Sequence, residues 1–376
     1  MATVREIAPD IPDGLEKGLR NYWYPILQSE ILPVGQPVGT TCLGEKLAIW
    51  RDTAGRPCVV NDRCPHRAAA LSIGRVVEGD LQCKFHGLRF SGDGCCSLIP
   101  WEPEDSPLLG EVSISAYPAE ERGGYIWAYI GDASKFPPPA LQTDTPDELW
   151  DEDNFVWFRM PTEIWDANWL IAVDGSDAIH AVTLHAEAQA VTDEAWKGGA
   201  APRSTVPLAD RRIKIVNTPH GARAISVDRT GNHISHGHAT RDIKGDRFAL
   251  PCVTTNPIVP AVGAPPYTSR LWQFPVDERR TQIERFICWR ARSSGERARA
   301  EQTFNELAEP RLKKISAEDA QMAAAQGDLV EARSREFLFN VDMDVIRIRQ
   351  LLKEAFLAQL DRRRVPVADR ALVHPI

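Results

Sequence analysis

The chain has 376 residues, 43% of them apolar and 26% charged, a mixture that fits a soluble globular protein and excludes a disordered or fibrous one. Its formal charge of −8 argues against nucleic acid or an anionic membrane surface as the main partner, and no apolar run approaches the ~18 residues of a membrane span. The length predicts two domains. The opening MATVREIAPDIPDG has neither a basic n-region nor an apolar h-region, so a cytoplasmic location is expected. In that compartment the eight cysteines stay reduced.

Residues 1–37 read as an N-terminal arm, in which Leu15 to Leu27 begins as a short helix that Pro25 interrupts. From residue 38 to 135 short β-rich runs alternate with Gly, Asp and Pro turns, which predicts a small all-β domain. Its runs are Leu47–Arg51, Cys58–Val60, Val112–Ser115 and Gly124–Ile130. The Pro-rich stretch from Ser134 to Pro146 marks a boundary. In the second domain, 136–376, a strand at Phe155–Met160 precedes a helix within Thr162–His185. Strands return at Arg211–Asn217, Ala222–Val227 and Gln282–Arg290, and long helices cover Glu301–Phe337 and Asp344–Arg364. In the last, Val345, Ile348, Leu352, Ala355, Phe356 and Leu360 recur at helical spacing and form a packing face. The fold class is therefore α+β, an all-β domain followed by a sheet with helices gathered around it.

Six of the eight cysteines lie between 42 and 96, and the pattern is no disulfide framework. Cys64-Pro-His66 and Cys83-Lys-Phe-His86 each pair a thiolate with an imidazole, and sixteen residues separate His66 from Cys83. Two such clusters can close around one metal centre as the tips of facing loops. Zinc would take all four donors at one tetrahedral ion, and a [2Fe–2S] centre would place both cysteines on one iron and both histidines on the other. The donors alone leave both open. Arg63, Arg67, Arg75, Lys84 and Arg89 face only Glu78 and Asp80 in this stretch, so it is either a solvated face or a docking patch for an acidic electron donor.

The flanks resemble a known family. Arg67, Leu71, Gly74, Gly87, Phe90, Gly94, Ile99 and Pro100 follow the donors in the order and spacing of Rieske domains, with Leu88 where that family usually has Trp. The resemblance implies a Rieske [2Fe–2S] cluster held by Cys64, His66, Cys83 and His86.

The second constellation lies in NWLIAVDGSDAIHAVTLH, residues 168–185. His180 and His185 on one helix would point ~140° apart, so both can bind one ion only if the helix loosens or ends. Asp177 and His180 share a face, and the carboxylate can hold the imidazole. Taken alone, this is also how a polar helix end looks. The run resembles the N-x2-D-x2-H-x4-H motif of Rieske non-haem iron oxygenases, with Asp174 where many relatives carry Asn.

That resemblance, over roughly residues 20–350, implies a helix-grip-type catalytic domain whose mononuclear Fe(II) is held by His180, His185 and a later carboxylate. Asp319, Asp328, Asp342 and Asp344 are candidates, and Asp319, in SAEDAQMAAAQG, matches the family segment best. Asp177 falls on the aspartate that links an iron-bound histidine, here His180, to the cluster ligand His86 of the partner subunit. The resemblance further implies a homotrimer and a terminal oxygenase that uses O2. Electrons would come from NAD(P)H through a separate reductase and a ferredoxin.

RNYWYP at 20–25 and the overall layout are similar to carbazole-type oxygenases, demethylases and ketosteroid hydroxylases. They imply an apolar, aromatic or polycyclic substrate, with the mode of oxidation open. The rival reading is a Rieske electron carrier without catalysis. His233, His236 and His238 read as a turn entering a strand, where either a third metal site or a place in the pocket lining is open.

Overall fold

The computed structural model describes residues 10–175, 180, 183–185, 188, 212–218, 221–227, 230, 248–339 and 342–361. Two compact units emerge, one of Arg20–Leu149 and one joining the segment up to Leu19 to the chain from Trp150 onward.

The first unit is built from antiparallel β-sheets. Val38–Cys42, Glu45–Arg51, Pro57–Asn61 and Ala116–Tyr117 form one four-stranded sheet. Arg75–Val77, Asp80–Gln82, Arg89–Phe90 and Cys96–Leu98 form a second. Their shared core holds Ala48, Trp50, Val60, Leu71, Leu81, Leu88 and Phe90, and the Trp50 indole donates to the Gly79 carbonyl at 2.8 Å. Leu88 is 3% exposed and packs as a plain core residue. A third sheet pairs Tyr22–Gln28 with Tyr125–Ile130, which pairs with Ala119–Arg122.

That third sheet corrects the reading of the arm. Residues 22–28 are strand, because Pro25 sits on a sheet edge, where its missing N–H is tolerated, with a register shift between Pro25 and Leu27. Only Leu15–Lys17 forms a 3-10 turn. The expected arm of 1–37 is therefore divided between the units. The expected boundary after 135 falls instead after Leu149. Three bonds hold the intervening residues to the first unit: Trp23 Nε1 to Pro139 O at 2.9 Å, Tyr129 Oη to Phe136 O at 2.9 Å, and Arg122 Nε to Leu149 O at 2.8 Å. The run expected at Val112–Ser115 makes only a bridge between Ser113 and Cys95, and pairing begins at Ala116.

The second unit is α+β. Its antiparallel sheet runs in the order Phe155–Arg159, Thr281–Arg290, Tyr267–Pro275, Val253–Ile258, Phe248–Ala249, Gly221–Val227, Arg212–Thr218, and Glu163–Trp165 also pairs with Thr281–Arg290. One face packs against a helical rod in two apolar clusters. Met160, Tyr267, Ile287 and Trp289 meet Phe304, Ala308 and Leu312. Trp165, Ile171, Leu271 and Ile283 meet Ala323. Trp165, Trp169, Trp272 and Trp289 are all buried core residues.

The rod starts at a capping box in which Ser293 and Glu296 satisfy each other's backbone N–H groups. It runs through Ser294–Thr303, widens into a π turn at Phe304–Ala308, and continues as Glu309–Ala325. The single helix expected over Glu301–Phe337 is broken at Gly327 (φ 73°), and Asp328 caps a new helix, Leu329–Arg335, accepting from Val330 N and Glu331 N. Met343–Leu360 buries Val345, Ile348, Leu352, Ala355 and Phe356 as its periodicity predicts, while Leu360 is exposed. No helix among the described residues is long and apolar enough to cross a membrane.

Candidate metal centres

Two loops of the first unit present Cys64, His66, Cys83 and His86, and their backbones repeat one pattern. Cys64 N donates to Ala69 O (2.9 Å) and Ala68 N to Cys64 O (2.8 Å). Likewise Cys83 N donates to Leu88 O (2.8 Å) and Gly87 N to Cys83 O (3.0 Å). Each loop closes on a residue in the left-handed region four places after its cysteine, Ala68 at φ 57° and Gly87 at φ 83°. Gln82 braces the second loop by donating to Gly87 O, and Arg75 Nε donates in turn to Gln82 Oε1. Gly74 is required where the chain passes Gln82, since a Cβ there would lie 2.2 Å from the Gln82 carbonyl oxygen.

The donors separate by type. Both cysteines are 2% exposed, whereas His66 is exposed and His86 half-buried, their ring centroids 4.5 Å apart. Burial pushes the Cys64 thiol up to about 11, with Cys83 beside it. A single tetrahedral zinc ion would draw all four donors to one point. An inner thiol pair and an outer imidazole pair match the two irons of a Rieske centre, so the residues present fit that group. Phe85 and Trp101, both exposed, pack against the imidazoles. Arg89 is paired with Glu78, which leaves Arg63, Arg67 and Lys84 as exposed cations on the ligand loops.

In the second unit the helix Trp169–Asp174 starts at Asn168, whose side chain accepts from Leu170 N. It ends at Gly175, before either histidine. Asp174 is taken up by Arg349 and Arg333, which anchors this helix end to two others. His180 and His185 lie beyond it, in a turn where Thr183 N and Leu184 N donate to His180 O. The two imidazoles are therefore not carried on this helix, and the helical separation of ~140° does not apply to them.

His180 Nε2 and His185 Nε2 approach to 3.2 Å, and Asp319 Oδ1 lies 3.5 and 3.4 Å from them. Bonds of roughly 2.1 Å to one ion place neighbouring ligand atoms ~3.0–3.4 Å apart, so these three fit one face of a coordination sphere. Among the described residues, this is the group of three His, Cys, Asp or Glu donors whose ligand atoms lie within 4.8 Å of one another. His185 Nδ1 lies 2.8 Å from Glu318 Oε2, in a setting where both residues are less than one-tenth exposed. Burial lowers the His185 pKa, against the pull of Glu318, and favours the neutral imidazole that binds a metal.

Glu318 was not among the residues singled out from the sequence; its one signal is adjacency to Asp319. The other carboxylates have local partners. Asp328 caps a helix, Asp342 accepts from Phe339 N, and Asp344 from Val345 N. Asp177 and the group His233, His236, His238 lie outside the described residues.

Comparisons with known proteins agree with this layout. Residues 22–118 match the model of the Rieske [2Fe-2S] domain, and residues 129–358 that of the homotrimeric ring hydroxylase. The chain is 29% identical over 259 residues to the phthalate 4,5-dioxygenase oxygenase subunit of Pseudomonas putida, covering 66% of this chain and 55% of that protein. It is 32% identical over 188 residues to the 5,5'-dehydrodivanillate O-demethylase oxygenase subunit of a Sphingobium strain, covering 48% and 41%. The chain thus spans about half the length of these curated relatives. Among solved structures, a fluorene-bound oxygenase in the ferredoxin complex of carbazole 1,9a-dioxygenase superposes with a TM-score of 0.70 at 24% identity, covering 91% of this chain and 92% of that one. At that identity the likeness is one of fold.

Proposed function

We propose that this chain, which belongs to the homotrimeric ring hydroxylase family and carries a Rieske [2Fe–2S] domain, is the terminal oxygenase of a multicomponent system acting on an aromatic substrate. The family implies iron–sulfur and iron cofactors. Cys64, Cys83, His66 and His86 would hold the cluster, and His180, His185 and Asp319 the mononuclear Fe(II). When bound, the cluster passes single electrons and the ferrous ion activates O2, so that oxygen enters the substrate by hydroxylation or oxidative dealkylation. The observation that carries this reading is the convergence of His180, His185 and Asp319 in a chain that also pairs two buried thiols with two outward imidazoles.

The protein's own groups supply placement. Glu318 holds the His185 ring so that Nε2 faces Asp319 and His180. The exposed Arg63, Arg67 and Lys84 beside the outer imidazoles suit an acidic ferredoxin or reductase that relays electrons from NAD(P)H. Asp177 is retained as the link from His180 to His86 of the partner subunit, which calls for a homotrimer. The cytoplasmic setting expected from the sequence belongs to the same reading.

Iron counting and oxygen uptake test the reading. Three irons per chain and substrate-dependent oxygen uptake with a surrogate reductase are expected. His180→Ala should keep two irons and the cluster's visible absorption while losing coupled uptake. Two irons in the wild type, with no substrate-coupled uptake, would instead identify an electron carrier.

A further inference from the structure

The histidines and the carboxylate of the candidate iron site come from distant parts of the chain, so contacts outside the site must hold them in register. The helix Trp169–Asp174 has six residues, too few to be stable alone, and its place is set by what it touches. Ile171 and Ala172 on its side join Ala320 and Ala323, from the rod segment that carries Asp319, in one apolar cluster. At its end stands Asp174, the last helical residue before Gly175 and the histidine segment.

A carboxylate at a helix C-terminus opposes the helix dipole, which favours cations there. Two guanidiniums offset it. Arg349 donates to Asp174 from Nε (3.2 Å) and Nη2 (2.8 Å), and Arg333 Nη2 pairs with Asp174 Oδ2. Both also reach Glu336, Arg349 through two bonds of 2.7 and 2.8 Å and Arg333 through one of 3.3 Å. The result is a closed quartet of two guanidiniums and two carboxylates, in which each guanidinium touches both carboxylates. The Arg349 side chain is 7% exposed and those of Arg333 and Asp174 15%, so water and salt screen these bonds weakly.

The quartet joins three elements. Arg333 lies on Leu329–Arg335, the helix that follows the rod across the break at Gly327, Glu336 ends that helix, and Arg349 lies on Met343–Leu360. One side of the quartet therefore leads to Asp319 through the rod, and the other to His180 through Gly175. His180 Nε2 and Asp319 Oδ1, 3.5 Å apart, already stand at the wide end of the spacing that one ion accepts, so the site has little slack. Supporting contacts must hold such ligands to within ~0.5 Å.

We propose that Asp174 is a positioning residue: with Arg333, Arg349 and Glu336 it fixes where the chain leaves the helix, and so keeps His180 and His185 in reach of the ion that Asp319 binds. This rests on the reading of those three residues as an iron site. The charges of the quartet cancel, so it acts on the site through position. Asparagine in place of Asp174 would set an amide donor against a guanidinium and open the quartet with almost no change of volume.

The test is ferrous-ion titration of protein depleted at the mononuclear site with its cluster intact, without substrate or electron donor. Asp174→Asn should raise the dissociation constant about tenfold or more, and Arg333→Gln, which leaves Arg349 on Asp174, about fivefold. The double variant Asp174→Asn, Arg333→Gln restores the balance of charge while the quartet stays open, and should bind no better than Asp174→Asn. Fe(II) should also raise the thermal unfolding midpoint less in each variant than in the wild type. A merely structural role would lower the midpoint of the metal-free protein and leave the dissociation constant unmoved. A constant within about twofold of wild type in Asp174→Asn, or in Arg333→Gln should the first variant not fold, overturns the proposal and leaves the iron site standing. Recovery of wild-type affinity in the double variant also overturns it, in favour of a field effect. A wild-type protein that binds no Fe(II) beyond its cluster overturns the iron site and the proposal together.

Discussion

Truncating Glu318 to alanine isolates what orients the mononuclear site. In the native protein His185 Nδ1 meets Glu318 Oε2 at 2.8 Å, and the imidazole is 7% exposed, so water cannot readily take over the lost acceptor. With Nδ1–H unpaired, the ring is free to rotate and to change tautomer, and Nε2 no longer faces Asp319 in every molecule. Loss of such an outer partner weakens metal binding by roughly 10–100-fold, or about 1.4–2.8 kcal/mol. Glu318→Gln keeps an acceptor oxygen without the charge and should lose no more than about tenfold. The assay is ferrous-ion titration of protein depleted at the mononuclear site with its cluster intact, the cluster's visible spectrum serving as the fold control. A dissociation constant for Glu318→Ala within twofold of wild type would show that His185 is held by packing alone.

Three further outcomes follow from the geometry. Ala68 and Gly87 occupy equivalent left-handed positions, so Gly87→Ala should lower stability by about 1–2 kcal/mol in thermal unfolding. Ala68→Gly should be neutral or stabilising by up to ~1 kcal/mol, because relief of strain offsets the extra entropy of the unfolded chain. Arg349→Met strips a 7%-exposed guanidinium from Asp174 and Glu336 and should cost about 3 kcal/mol in denaturant unfolding, with Arg333 left to hold Asp174. Burial pushes the Cys252 thiol from 9.0 up to about 12, so its contribution to stability is full below pH 9 and lost as pH rises toward 12. Cys252→Ala should therefore show a shallower fall of stability across that window in pH-dependent unfolding.

How far the sequence could be read depended on where each partner lies along the chain. Cys64, His66, Cys83 and His86 stand out because their spacing is local and their flanking glycines have backbone reasons, Gly74 passing the Gln82 carbonyl among them. His180 and His185 are also a local pair, and helical geometry alone says that one regular helix cannot carry both to one ion. Asp319 lies well over a hundred residues away and was reached by resemblance to a family segment. Glu318 had no signal beyond its adjacency to Asp319: a carboxylate on a polar helix looks solvated until the fold buries it against His185. Tyr22–Gln28 was misread because its hydrogen-bonding partner, Tyr125–Ile130, lies about a hundred residues downstream, and an aromatic run with a proline is ambiguous in isolation. The break at Gly327-Asp328 was legible, a left-handed terminator followed by a capping side chain.

The π turn at Phe304–Ala308 sets the angle at which the rod presents its carboxylate. Residues N-terminal to it are clamped, Arg297 donating to the backbone carbonyls of Phe155 and Asp153. The turn works as a spacer between that clamp and Asp319. Adding one residue to the regular helix just after it, between Pro310 and Arg311 for example, would rotate everything downstream by ~100° and push it on by ~1.5 Å. Asp319 would swing off His180 and His185, and Leu312 and Ala323 off their clusters. The coordination geometry of the site is thus dialled from the far end of a lever, by chain length at a position that touches no ligand.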